Sequence, residues 1–281
     1  MRIKEFLANI LDMLDVKNFS ESQYVGIKSG FNDVDGITLG FKPSDLIVIA
    51  SRPSLGKSIF VLNTAQNAAI NENKKIAFFS LEIPNENIVT RLLSSLVKIP
   101  IYDLKDGRLL ENDFARLTRK IHSIKNMAIH FNDSPTISIS EICDECRVIK
   151  YSDGLDFVVV DYLQLISIDD QYENRIDELS EISRKLKSLA VELDIPIIIV
   201  SQLNRQLEKR ENKRPILSDL RGTGVLAQLA DMILFIYRDE VYDEDSNHKG
   251  IAEIIIGRNR FGSTGTVNLS FNGQYMRFET L

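Results

Sequence analysis

The sequence predicts an α/β fold, in which a mostly parallel central sheet is flanked by helices and extended by antiparallel C-terminal strands. Three observations predict it. Short apolar runs, near 46–50, 76–80, 127–131, 157–161 and 196–201, alternate with segments of helical periodicity near 57–70, 85–97, 111–123, 138–150 and 173–193. That alternation is the signature of right-handed crossovers between parallel strands. Beyond it, apolar runs at 232–237, 252–257 and 266–271 follow one another without intervening helices, so they should add to the sheet as antiparallel hairpins. Several of the early runs also end in a hydroxyl or carboxyl side chain, at the strand ends where such sheets place their ligands.

Before the sheet comes a short appendage. Ile3, Phe6, Leu7, Ile10, Leu11 and Leu14 recur at helical spacing and give one apolar stripe, which needs a surface to cover. A polar stretch follows at 17–24. The chain therefore divides into a helix and linker over 1–25 and one large unit over 26–281.

The first strand, Leu46-Ile-Val-Ile-Ala50, leads into Ser51-Arg-Pro-Ser-Leu-Gly-Lys-Ser-Ile59 and then into an amphipathic helix. Strand, glycine-containing loop and helix in this order form a phosphate-binding P-loop. Backbone N–H groups of Ser54, Leu55, Gly56, Lys57, Ser58 and Ile59 can point inward at phosphates, and the helix N-terminus adds its partial positive charge. Lys57 is placed to reach the β- and γ-phosphates, and the Ser58 hydroxyl to hold Mg²⁺. ATP and Mg²⁺ are thus the expected cofactors. The full pattern G-x-x-x-x-G-K-S/T has glycine where Ser51 stands.

Three further strand ends belong to the same chemistry. Asp161 closes the run Phe157-Val-Val-Val-Asp161 and is the natural Mg²⁺ partner of Ser58; alone, it could equally cap the strand. Glu82, after Phe79-Ser-Leu, is the candidate base for an attacking water, or else a carboxylate favoured at a helix N-terminus ahead of Pro84. Gln202, after Ile197-Ile-Ile-Val-Ser201, could sense a γ-phosphate or be an ordinary loop amide.

Taken together, eight blocks in one order resemble the C-terminal motor domain of the DnaB-type replicative DNA helicases, a branch of the RecA-like ATPases. They are Gly40-Phe-Lys-Pro-Ser-Asp-Leu-Ile-Val48, Arg52-Pro-Ser-Leu-Gly-Lys-Ser58, Phe79-Ser-Leu-Glu82, Val160-Asp-Tyr-Leu-Gln164, Ser201-Gln-Leu-Asn-Arg205, Ser218-Asp-Leu-Arg221 and Tyr237-Arg-Asp-Glu240, closed by Ile254-Ile-Ile-Gly-Arg-Asn-Arg260. The resemblance covers residues from about 26 to the end. That family often lacks the first P-loop glycine.

The resemblance implies a RecA-like P-loop NTPase that assembles as a six-subunit ring, hydrolyses ATP between neighbours and translocates 5′-to-3′ on single-stranded DNA. Arg260 matches the family's arginine finger, which enters the adjoining subunit's site, and Arg258 its basic companion. Read without the family, two arginines at i and i+2 are a solvated strand face. Arg221, Gly222, Thr223 and Gly224 stand where the family's pore loop holds DNA, although the family usually reads Arg-Glu-Ser-Gly there, and Leu229 stands where it tends to place an acid. The cations between Lys209 and Arg214 are nearly balanced by acids and can equally belong to a mobile surface loop. The N-terminal helix would dock on a neighbouring subunit or on its own core. Primase and a helicase loader are implied partners. Full-length members normally carry a further helical N-terminal domain, which this sequence does not contain. Two other readings remain open, an ATP-regulated RecA-like assembly ring without unwinding and a non-catalytic relative that only binds partners.

Bulk composition agrees with a motor. At 281 residues, with 44% hydrophobic and 26% charged positions, the chain can bury one large core without disulfides. A formal net charge of -6 argues against a general DNA coat, but not against a ring with basic groups concentrated in a channel. No run reaches membrane-spanning length and no signal-peptide run opens the chain, so a cytoplasmic location is expected. Cys143 and Cys146 form a lone C-x-x-C without the second ligand pair a zinc site needs, and the three histidines are scattered.

Overall fold

The computed structural model describes residues 26–170, 172–220, 222, 223 and 225–281. The helix and linker expected over 1–25, and Arg221 and Gly224 of the expected pore loop, lie outside the described residues.

A nine-stranded sheet runs through the molecule in the order β3-β2-β4-β5-β1-β6-β7-β8-β9. Strands β1 (Leu46–Ser51), β2 (Ile76–Ser80), β3 (Ile129–Asn132), β4 (Phe157–Asp161), β5 (Ile197–Gln202) and β6 (Met232–Tyr237) are parallel. The hairpin strands β7 (Ile251–Asn259), β8 (Gly265–Asn272) and β9 (Arg277–Thr280) complete it antiparallel. The fold is therefore the mostly parallel α/β sheet that the alternation of runs predicts.

Every residue of β1, β2, β4 and β6 is buried, which only a sheet covered on both faces can achieve. Alternation along β1 splits the core. Ile47 and Ile49 pack with Phe60, Val61 and Ala65 of the helix Lys57–Asn71, whereas Leu46, Val48 and Ala50 pack with the helices Ile139–Ser152 and Arg175–Leu193. The second of these clusters takes in Cys143 and Cys146 as buried free thiols, both pushed up in pKa by burial, so they are inert core residues.

Among the described residues, three larger elements besides the single turn Leu226–Leu229 and the 3-10 turns escape the sequence pattern. The helices Asn32–Thr38 and Ile101–Asp106 are too short to show periodicity. Strand β9 is four residues long with charged neighbours, but its Phe278 inserts among Phe31, Phe60 and Phe271, and that contact pins it to the sheet. A bulge at Gly257 sets the register of the hairpin, since Leu234 faces Ile256 while Ile233 faces Arg258. A Cβ at Gly257 would lie 2.6 Å from the Phe235 ring, so the bulge needs glycine.

Candidate ATP-hydrolysing site

Register alone aligns the functional strand ends. Ser51 at the end of β1 lies opposite Gln202 at the end of β5, and Ser80 of β2 lies opposite Asp161 of β4. Just past these ends, Leu81 N donates to the Asp161 carbonyl at 2.8 Å, which holds Glu82 beside Asp161. A cavity of about 420 Å³ opens there, lined by Ser54, Gly56, Lys57, Ser58, Ile59, Glu82, Asp161 and Gln202 among others. All the strand-end residues expected to act together thus share one pocket.

The loop that forms its floor has the left-handed conformation the motif demands. Gly56 sits at φ +101°, immediately before the helix Lys57–Asn71. A Cβ there would meet the rings of Phe278 at 3.0 Å and Phe271 at 3.3 Å, so the C-terminal hairpin walls the loop from behind. The Leu55 side chain is buried, which leaves its backbone as the part that can face phosphate.

Charge is concentrated on the pocket's inner wall. Burial lowers the Lys57 pKa, against the opposing pull of Asp161 and Glu82, and its Nζ donates to the Arg52 carbonyl at 3.2 Å. Asp161 is almost wholly buried and its Oδ1 has no hydrogen-bond partner. Burial pushes its pKa up to about 6, although the Ser58 hydroxyl, Lys57 and Arg91 favour the carboxylate. An orphaned carboxylate oxygen beside a serine hydroxyl is the donor set a magnesium ion takes, so the residues fit that ion. At the third strand end, Gln164 donates Nε2 to Ser201 Oγ at 3.1 Å and accepts from the Gln202 backbone N–H at 3.4 Å, which fixes where Gln202 leaves the sheet.

Sequence reasoning missed Arg91. It lies mid-helix in Asn85–Val97 and lines the pocket, where Asp161 and Glu82 act on its charge and burial lowers its pKa. No strand-end signal marks it; only its place one and a half turns into the helix after Glu82 could have done so.

The raised Asp161 pKa has a signed consequence. A carboxyl whose folded value lies above its ordinary 3.8 stabilises the nucleotide-free fold fully below that value and loses the contribution as pH rises through about 6. The charged form at neutral pH costs on the order of 3 kcal/mol. Asp161→Asn is therefore expected to raise the melting temperature of the nucleotide-free chain by several degrees near pH 7.5 and to change it little near pH 4. Calorimetry across pH decides; a variant that melts lower at the higher pH rules the account out.

Arg258 and Arg260 lie elsewhere. Arg260 donates Nη1 to Asp231 Oδ1 at 2.8 Å and its backbone N–H to the Asp231 carbonyl at 2.8 Å; Arg258 donates to the Ala227 carbonyl at 2.6 Å. Asp231 also receives Lys187 Nζ at 2.6 Å and the Leu46 N–H at 2.9 Å. Since Leu46 begins β1 and the P-loop follows its end, the strand's length, about 15–20 Å, separates Arg260 from its own pocket.

The charge-rich loop after β5 is tied down. Arg210 grips Asp219 at 3.0 and 2.8 Å, Arg214 grips Glu253 at 2.7 and 2.6 Å and stacks on Tyr237, and Lys213 donates to the Glu208 and Arg210 carbonyls. Those cations are committed inside the chain. Gly222 is exposed at φ +95°, whereas Thr223 is buried and turns its hydroxyl to the Leu220 carbonyl at 2.6 Å, so it offers no side-chain contact to a phosphate.

Comparison with known proteins agrees with this geometry. The family model described as the DnaB-like helicase C terminal domain matches residues 26–280. The replicative DNA helicase DnaB of Geobacillus stearothermophilus is 43% identical over 280 residues, and the replicative DNA helicase DnaC of Bacillus subtilis is 42% identical. Each match covers 99% of this chain and 62% of the relative, so the chain spans about three fifths of those relatives' length. Among solved structures, the ATPase domain of G40P aligns with a TM-score of 0.94 at 36% identity, covering 100% of this chain and 99% of that one. A DnaB-like replicative helicase studied with its primase interactions aligns equally well, and 68% of that chain is covered.

Proposed function

Because this chain belongs to the family of the DnaB-like helicase C-terminal domain, we propose that it is the ATP-driven motor of a 5′-to-3′ replicative DNA helicase, working in the cytoplasm as a hexameric ring on single-stranded DNA. The observation that carries the reading is the shared pocket, in which Lys57, Ser58, Glu82, Asp161 and Gln202 converge around an unpartnered buried carboxylate oxygen. In that pocket Lys57 and the N–H groups around Gly56 bind the phosphates, Ser58 and Asp161 hold Mg²⁺, Glu82 takes the proton of the attacking water, and Gln202 meets the γ-phosphate. The ion, once bound, neutralises charge that develops on the phosphates.

Arg260, too far away to serve its own pocket, supplies charge to the pocket of an adjoining copy, with Arg258 as its companion. The segment of Arg221, Gly222, Thr223 and Gly224 contacts the DNA backbone, Thr223 through its main chain only. Primase and a loader are the proposed protein partners. Among the described residues no helix is long and apolar enough to cross a membrane.

Two measurements test the reading together: ATP turnover with and without single-stranded DNA, and unwinding of forks carrying a 5′ or a 3′ tail. Turnover stimulated by DNA with unwinding only from the 5′ tail is expected. Nucleotide-dependent assembly without strand separation would replace the helicase by an assembly ring. Arg221→Ala should weaken binding to single strands of any sequence and flatten the slope of log affinity against log salt by roughly 0.7, the share of one phosphate contact. An unchanged slope removes Arg221 from the DNA.

A further inference from the structure

The P-loop is fastened to the segment beyond β5 by a residue with no part in the chemistry above. Arg52 is 8% exposed, and its carbonyl receives Lys57 Nζ. Its guanidinium turns away from the pocket, donating Nη1 to the Leu203 carbonyl at 2.8 Å and Nε to Glu208 Oε1 at 2.7 Å. Guanidinium stays charged at any working pH, so a buried one requires a carboxylate, and Glu208 provides it.

Glu208 stands in the turn Arg205–Lys209, a few residues after Gln202. Next along the chain, Arg210 grips Asp219; Asp219 accepts the Ile216 N–H at 2.8 Å, and the Asn204 N–H donates to its carbonyl at 3.0 Å. Two residues further on in sequence comes Arg221, followed by the exposed Gly222. A continuous set of short polar contacts thus runs from the P-loop backbone to Asp219. The segment 203–220 is joined to the P-loop side by the Arg52–Glu208 pair, by Arg52 to the Leu203 carbonyl and by the Leu203 N–H to the Ser51 carbonyl at 3.1 Å.

We propose that the Arg52–Glu208 ion pair is a coupling strut, a pair of positioning residues that transmits the state of the nucleotide pocket to residues 203–220 and so to the loop that follows. It rests on the reading of the pocket as an ATP site and of the loop as a DNA contact. At Arg52 the strut meets two groups placed where nucleotide acts, one through its carbonyl and one through its guanidinium. At the carbonyl, Lys57 donates its ammonium, for which a phosphate competes. At the guanidinium, Leu203, whose carbonyl Arg52 holds, directly follows Gln202. Such a pair has two discrete states, made and broken, which is what energetic coupling between sites requires.

The test uses the whole chain with a non-hydrolysable ATP analogue and Mg²⁺. Hydrogen exchange is followed at 203–220 and at 57–71, alongside turnover with and without single-stranded DNA. In the wild type, nucleotide should change exchange in both segments. Glu208→Ala should keep the change at 57–71 and DNA-free turnover but lose the change at 203–220, with DNA stimulation falling about fivefold or more. Glu208→Gln, which keeps an acceptor oxygen and loses the charge, should fall between and guards against a folding defect in the alanine variant. Equal exchange responses at 203–220 in wild type and both variants, or no response there in the wild type, overturn the strut. A wild type indifferent to DNA whose exchange response still depends on Glu208 keeps the strut and removes only the DNA reading.

Discussion

Lys57→Ala is expected to abolish ATP turnover and weaken nucleotide binding, whereas Glu82→Gln should still bind Mg²⁺-ATP and lose turnover by roughly 10²–10⁴-fold. The two differ because they meet different parts of the reaction. Lys57 is half-buried on the inner wall beside Asp161, so its ammonium is already desolvated and aimed where phosphate must lie. Removing it takes away ground-state binding and transition-state neutralisation together. Glu82 is exposed at the pocket mouth, and its exchange for an amide of the same shape removes a proton acceptor while leaving the cradle intact. Titration calorimetry with ATP and a phosphate-release assay separate the effects. Normal turnover by the Glu82 variant removes it from the base role, and normal affinity in the Lys57 variant takes Lys57 off the phosphates.

Arg260→Ala should cost about 10³-fold or more in turnover while ATP binding persists, as expected of an arginine that neutralises charge from outside the site. Its position makes the prediction sharper than a single substitution could. Arg260 lies at the start of β1 and the P-loop at its end, so only another copy can bring them together. Mixing Arg260→Ala chains with Lys57→Ala chains should then restore part of the activity, because some interfaces pair an intact P-loop with an intact arginine. If mixtures shown to co-assemble stay at the level of the separate variants, and Arg260→Ala alone hydrolyses ATP normally under assembling conditions, Arg260 acts only through Asp231. The arginine must also leave that carboxylate to act. Asp231 keeps Lys187 and the Leu46 N–H when it does, so the buried charge is not abandoned.

What the sequence made legible is what parallel strands make local. Ser51, Asp161 and Gln202 each close an apolar run, and Glu82 follows another two residues on. Parallel register alone then gathers such ends at one edge of the sheet. Side chains whose placement depends on distant partners were not legible. Arg91 reaches the pocket from the middle of a helix. Arg210 and Arg214 looked as free as any loop charges until Asp219 and Glu253 came within reach. Strand β9 has the weakest apolar pattern of the sheet, yet one aromatic ring fixes it.

That ring places the chain's last strand behind its first functional loop. Phe278 and Phe271 back onto Gly56, and Phe278 also stacks edge-on against Phe60, just inside the helix that the loop opens. On the ribosome the loop is made early and its backing late; at roughly 5–20 residues per second, the interval is on the order of ten seconds or more. Throughout that time the glycine turn has no wall behind it and the helix lacks an aromatic neighbour. A nascent chain halted before β9 should therefore carry the phosphate-binding residues without a formed nucleotide site, so that competence for ATP arrives only with the completed sheet.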